Sequence, residues 1–216
     1  MIDSKELGTT HKLHPDTLLE SKPCKDLMRP KLIAIGASTG GVDVLSTIFE
    51  KLPTGLPPIV VVQHIPKTFG SSFAKRLDSL SRLSVYEVTQ KMRLEKSCAY
   101  ITSGDSHISL SYESGHYYAK PIDGPRISRH KPSVDILFRN VNNVVGKNAL
   151  GVILTGMGDD GCIGLKEMYE NGAVTIAQDE QSCVVFGMPK KAIEVGGVKH
   201  TLSIEQIIEF ISNTKG

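Results

Sequence analysis

A chain of 216 residues that is 40% hydrophobic, only 6% aromatic and free of tryptophan has apolar material for one sizeable core, most simply one α/β domain with an appendage. Its 25 Lys and Arg against 23 Asp and Glu leave a formal charge of +2 with both signs interspersed, which excludes an electrostatic footprint for nucleic acid. No apolar run is long enough to span a membrane, residues 1–10 are too polar for a signal peptide, and Cys24, Cys98, Cys162 and Cys183 form no Cys-x-x-Cys pair, so the expectation is a cytoplasmic protein with reduced thiols and no structural metal.

Residues 1–30 carry scattered charge with Pro15, Pro23 and Pro30 and no sustained apolar period, and read as a linker or a loosely docked, flexible arm. From Lys31 the texture changes, and 31–216 reads as the folded domain. Apolar runs at 32–35, 58–62, 149–154 and 173–177 lack polar alternation and end in glycine or polar turns, as buried strands do. Val44, Leu45, Ile48, Phe49 and Leu52 fall on one helical face, and Val134, Ile136, Leu137, Val141, Val144 and Val145 suggest a second helix. Alternating strands and helices of these lengths predict a doubly wound, mainly parallel sheet with helices on both faces. Residues 84–120 break the rhythm: they show no convincing helix, and Ser111–Tyr118 reads as a hairpin turning at Ser114-Gly115, an antiparallel excursion expected at the sheet edge. Ser203 and Gln206 have capping-box spacing ahead of Ile207, Ile208, Phe210 and Ile211, which marks the last helix.

In such a sheet ligands gather where strands end at their carboxyl side. Three ends carry chemistry. The first run passes into Gly36-Ala37-Ser38-Thr39-Gly40-Gly41, a serine lifted clear of the sheet among glycines with a helix N-terminus behind it. The second passes into Gln63-His64, an imidazole beside that serine. The 149–154 run passes into Thr155-Gly156-Met157-Gly158-Asp159-Asp160-Gly161, a glycine-dense turn with carboxylates before another helix. A serine hydroxyl needs an imidazole to take its proton, and that imidazole needs a carboxylate to hold its tautomer and stabilise its cation.

Each piece alone has an ordinary reading. A strand followed by a glycine-rich turn also binds phosphates or dinucleotides, although no Gly-Lys-Ser/Thr is present and Gln63-His64 stands where a dinucleotide site wants an acid for the ribose. Asp159-Asp160-Gly161 could be a turn or helix cap, and no ligand spacing around it suggests a metal. His11 and His14 have metal-like spacing in a polar arm where solvation accounts for them; His107, His116, His130 and His200 have no evident partners in sequence.

Together with Ser133-Val134-Asp135, Ala177-Gln178-Asp179-Glu180 and Val184-Val185-Phe186-Gly187-Met188-Pro189, these blocks resemble, in order and over about residues 31–214, the catalytic domain of the chemotaxis protein-glutamate methylesterase (CheB) family. The resemblance implies a doubly wound α/β fold with an antiparallel addition. It also implies a cofactor-free serine hydrolase that removes methyl esters from glutamate side chains of methyl-accepting chemotaxis receptors, with receptor glutamine deamidation a common second activity. By the family pattern the nucleophile falls on Ser38, the base on His64 and the acid on Asp160, since the residue preceding that acid varies. Thr39 and Met157 match positions at the active site where a backbone N–H could serve the oxyanion. The alternatives are a receptor-binding module that has lost turnover and a nucleotide-binding α/β protein using the Gly36 loop. Full-length members usually begin with a phosphoacceptor receiver domain, for which 30 residues are too few, so the expectation is an uncovered site on 31–216.

Overall fold

The computed structural model describes residues 12–102 and 104–214. In chain order the elements begin with β1 (Leu32–Ala37), α1 (Gly41–Lys51), β2 (Ile59–Gln63), α2 (Lys67–Leu80), β3 (Ser84–Glu87), β4 (Met92–Arg93) and β5 (Cys98–Thr102). They continue with β6 (His107–Glu113), β7 (His116–Ile122), α3 (Val134–Val144), β8 (Ala149–Ile153), α4 (Cys162–Glu170), β9 (Val174–Gln178), α5 (Met188–Glu194), β10 (His200–Leu202) and α6 (Ile204–Ser212).

Seven strands pair in parallel in the order β10-β9-β8-β1-β2-β5-β3, and β4, β7 and β6 make a separate antiparallel sheet. Every residue of β1, β2 and β8 is buried, which is why these strands read as unbroken apolar runs. Two cores cover the main sheet. Val44, Ile48 and Phe49 of α1, Phe73 and Leu77 of α2, and Ile207 and Ile211 of α6 close one face. Leu137, Phe138 and Val141 of α3, Leu165 and Met168 of α4, and Leu110 and Tyr117 of the small sheet close the other. The expected doubly wound fold with an antiparallel excursion is thus the observed one.

Two details differ. Residues 84–102 supply two strands of the parallel sheet, β3 and β5, and the excursion is its own three-stranded sheet packed over α3 rather than an extension of the main sheet's edge. Strands of four and five residues give too short a pattern to tell parallel from antiparallel pairing. Helix α2, with only Gly70, Phe73, Ala74 and Leu77 buried, has a face too sparse in apolar residues to announce itself. The hairpin turns at Ser114 (φ 49°) and Gly115 (φ 83°), and Ser203 and Gln206 exchange the expected reciprocal capping bonds.

The segment read as a linker or loosely docked arm has specific contacts over its described part. Arg139 of α3, whose side chain is 1% exposed, donates to Asp16 Oδ1 (2.5 Å), to the Leu19 carbonyl (2.7 Å) and, on its other edge, to Glu167. Leu13 bridges to Ile127, and the Cys24 N–H reaches the Asn142 carbonyl at 3.0 Å. These are polar and backbone contacts, invisible to a search for apolar periodicity.

Candidate active site

From β1 the sheet grows one way through β2, β5 and β3 and the other way through β8, β9 and β10, so the order reverses between β1 and β8. The carboxyl ends flanking that switch point form the crevice where open α/β sheets bind ligands. Ser38 follows β1, His64 follows β2, and the loop Thr155–Gly161 follows β8. The registers Ala37↔Gln63 and Gly36↔Ile153 bring these three exits to one level.

Ser38 occupies a tightly tied elbow. Its N–H donates to the Thr155 carbonyl (3.0 Å), while its own carbonyl accepts from Gly41 N (2.8 Å) and from Gln63 Nε2 (2.9 Å). Gly40 stands at φ 80° as the N-cap of α1, a left-handed conformation that a side chain would strain. Gly156 lets the β8 loop close on the serine: a Cβ there would fall 2.7 Å from Ser38 Cβ and 2.3 Å from Met188 Sδ. The Gln63 amide also reaches the His64 carbonyl (3.3 Å), and His64 N–H donates to the Ala37 carbonyl (3.1 Å), so one glutamine side chain ties the two exits together.

His64 meets Asp160 through Nε2 to Oδ2 at 2.9 Å, with the imidazole side chain 10% exposed and the carboxylate 0% exposed. Asp160 also accepts from Ser133 Oγ (2.8 Å), Val134 N (2.8 Å) and Asp135 N (3.0 Å), the N-cap and first N–H groups of α3. Burial works to raise the Asp160 carboxyl, but the bond and charge of His64 and the α3 amides outweigh it and hold the group below its ordinary value. An ionised carboxylate only accepts, so Nε2 carries the proton and Nδ1 is the basic nitrogen. That Nδ1 is buried and has no hydrogen-bond partner among the described residues. No Ser38 Oγ–His64 bond is formed among them either; such bonds commonly tighten only with substrate in place.

The Asp160 carboxylate has a twin. Asp135 in the first turn of α3 accepts Ile163 N (2.9 Å) and Gly164 N (3.0 Å) at the start of α4, and Ser128 Oγ (2.7 Å). Asp160, just before α4, caps α3, and Asp135, on α3, caps α4. Burial and the neighbouring Asp160 push the Asp135 carboxyl up to about 7, against the pull of its hydrogen-bond donors.

The remaining expected site residues lie on the rim. Thr39 is exposed, with its carbonyl held by Thr155 Oγ1 (3.0 Å), and Met157 is 66% exposed; neither backbone N–H donates a hydrogen bond among the described residues. Asp159 turns outward, to Lys12 Nζ (2.5 Å) and Arg129 Nη2 (3.0 Å). Burial, more than any other influence, pushes the thiols of Cys162 and Cys183 up to about 11 each, as for inert packed cysteines. No three His, Cys, Asp or Glu side chains converge as metal ligands among the described residues, and His11 lies outside them.

Three further residues in contact with this cluster were given no role by the sequence. His130 stacks on His64 with ring centroids 3.9 Å apart and planes 6° from parallel. Ser133 has the residue type and position of an N-cap, a legible signal, but its second bond to Asp160 has none. His107, buried, accepts from Ser133 N at Nδ1 (3.2 Å) and donates from Nε2 to the Pro125 carbonyl (2.8 Å), and burial lowers its basicity so that it stays the neutral tautomer this pairing needs.

The family profile described as CheB methylesterase matches residues 33–211. The chain belongs to the CheB methylesterase family. A protein-glutamate methylesterase/protein-glutamine glutaminase of Photobacterium profundum is 47% identical over 209 residues, covering 96% of this chain and 60% of that protein. One so named from Dechloromonas aromatica is 51% identical over 177 residues, 82% of this chain and 49% of its own length. The crystal structure of the Thermotoga maritima CheB methylesterase catalytic domain superposes with a TM-score of 0.82 at 38% identity, covering 86% of this chain and 98% of that one. This CheB-family chain therefore spans about half to three-fifths of the length of those two curated relatives. None of its described helices is long and apolar enough to cross a membrane.

Proposed function

We propose that this chain is a serine hydrolase that removes methyl esters from glutamate side chains of chemoreceptors and, through the same acyl intermediate, deamidates receptor glutamines. The observation that carries the reading is the buried Asp160 carboxylate bonded to His64 Nε2 at 2.9 Å, which leaves Nδ1 as a base beside the Ser38 elbow. Ser38 Oγ attacks the ester carbonyl while Nδ1 takes its proton, and Asp160 stabilises the imidazolium. The N–H groups of Thr39 and Met157, which donate no hydrogen bond among the described residues, would serve the developing oxyanion. The proton passes to departing methanol, or to ammonia from a glutamine, and water then cleaves the acyl-enzyme by the reverse relay. Every step uses groups of this chain and no cofactor. The substrates are cytoplasmic receptor helices, so the protein acts in the cytoplasm; nucleic acid and membrane insertion have no part in the scheme.

Labelling by a fluorophosphonate probe, with methanol release from a methyl-esterified receptor fragment, tests the reading. Parent protein should label and release methanol, and Ser38→Ala should do neither, with turnover falling roughly 10⁶-fold. Equal labelling of parent and Ser38→Ala, or a folded parent that neither labels nor releases methanol, would favour a receptor-binding or nucleotide-binding module instead.

A further inference from the structure

The His64–Asp160 bond fixes one nitrogen of the imidazole but not the tilt of its ring. The surface that fixes the tilt is His130, stacked at 3.9 Å and 6°. We propose that His130 is a positioning residue, whose aromatic face holds the His64 ring in one orientation through the proton transfers; this rests on the hydrolase reading above.

The backbone that presents His130 is over-determined. Ile127 and His130 exchange N–H and carbonyl bonds at 3.0 and 2.8 Å around a tight turn whose two central residues, Ser128 (φ 49°) and Arg129 (φ 71°), are not glycines. Such left-handed residues persist only where their surroundings impose them, and they collect at functional sites. Here the surroundings do impose them. Ser128 N donates to the Leu13 carbonyl (2.9 Å), Ser128 Oγ to Asp135 (2.7 Å), and Arg129 Nη2 to Asp159 (3.0 Å). The described arm, the capping carboxylate of α4 and the β8 loop thus converge on one turn, and what the turn delivers is an aromatic face against the base.

The charge of His130 suits the role. Burial first, then repulsion from His64, Arg129 and Arg126, lower its basicity against the attraction of Asp160, so the ring stacks as a neutral imidazole. A neutral π-face tolerates the cation that His64 becomes, whereas a second cation at this distance would oppose it. Both rings line a cleft of about 380 Å³ together with Lys67, Arg126 and Lys131, so the stacked pair forms part of one wall.

The role separates cleanly from a structural or polar one with His130→Ala and His130→Phe, since phenylalanine keeps a flat ring of similar size and has no nitrogen. With a methyl-esterified receptor fragment as substrate, His130→Ala should lower kcat about 10- to 100-fold with KM changed less than about twofold, and His130→Phe should stay within about threefold of the parent in both. In ¹⁵N-histidine NMR the His64 Nε2–H signal should be single and sharp in the parent and in His130→Phe, and broadened in His130→Ala. Equal impairment of folded His130→Phe and His130→Ala, a loss confined to KM, or a kcat for His130→Ala within about twofold of the parent would overturn the proposal. A parent without turnover would count against the hydrolase reading alone. The NMR comparison would then decide, identical His64 signals in the parent and His130→Ala being the refuting result.

Discussion

Replacing Asp160 by asparagine should be far more damaging than replacing its neighbour, because the two carboxylates differ in what they accept. Asp160 takes four bonds on two oxygens: Ser133 Oγ and Asp135 N on Oδ1, and Val134 N and His64 Nε2 on Oδ2. An asparagine can match only one side of that set. With its oxygen toward Ser133 and Asp135, its NH₂ faces the Val134 N–H and the imidazole. His64 must then accept at Nε2 and carry its proton on Nδ1, where the base is needed, and turnover should fall on the order of 10⁴-fold. The buried Val134 N–H, left facing another donor, adds a stability loss of about 1–3 kcal/mol. In Asp159→Asn the lost interactions are two ion pairs near the surface, with Lys12 and Arg129, worth about 0–1 kcal/mol, and turnover should change by less than about threefold. Methanol release by both variants, with folding checked by thermal unfolding, decides the matter. If folded Asp159→Asn lost more activity than Asp160→Asn, or if Asp160→Asn kept a tenth of the parent rate, the placement of the acid would be wrong.

Gly156→Ala puts a methyl 2.7 Å from Ser38 Cβ, so it should lower fluorophosphonate labelling and turnover about 100-fold by displacing the nucleophile, with a stability cost of about 1–3 kcal/mol; unchanged labelling would refute the contact. Asp135, pushed up to about 7, binds its proton more tightly folded than unfolded, so its contribution is present at low pH and lost as pH rises from the ordinary carboxyl range through about 7. Asp160, held down, acts in the opposite sense: its contribution is present above the ordinary carboxyl range and lost as pH falls through its folded value. Asparagine at 135 mimics the protonated acid, so Asp135→Asn should gain stability relative to the parent between pH 5 and pH 8 in urea unfolding, and a pH-independent difference would contradict the shift. Arg139→Ala leaves Glu167 without its partner and releases Asp16 and the Leu19 carbonyl, and should cost about 3–5 kcal/mol. Deleting the residues before Lys31 should likewise lower the unfolding midpoint, a result that an arm without contacts would not give.

What could be read from the sequence was what local pattern encodes. Buried strands with no polar alternation, the glycine-flanked Ser38, His64 just past β2 and the Ser203–Gln206 cap each leave a signature within a few residues, and strand order places three strand ends at one crevice without any side-chain detail. The choice of Asp160 over Asp159 came from the family pattern; spacing treats the two alike. The geometry separates them by burial and partners, since one carboxylate points into the α3 terminus and the other toward Lys12 and Arg129. His130 lies 66 positions from His64 and has neither motif nor period around it, so only the folded chain reveals the stack. The contacts of the arm leave no mark in the sequence for a related reason: they rest on a buried arginine and backbone carbonyls, while the apolar content that marks docking in a sequence is missing.

The reciprocal caps give Asp160, the proposed acid, a second occupation that constrains the first. Asp160 fills the N-terminus of α3 while Asp135 of α3 fills that of α4, so the helices that close one face of the sheet are locked to each other by the carboxylate that holds His64. Two carboxyls so close and so buried do not both ionise freely, and the environments push them apart: Asp160 has the imidazole and stays charged, whereas Asp135 moves up to about 7. The split favours the chemistry, because a partly protonated Asp135 adds less negative charge next to Asp160 than a fully ionised one would. It also ties activity to packing. Any substitution that slides α3 against α4 must move Asp160 relative to His64, so variants far from Ser38 along that helix pair should lose turnover before they lose the fold, whereas equal displacements of α6, on the opposite face, should leave turnover untouched.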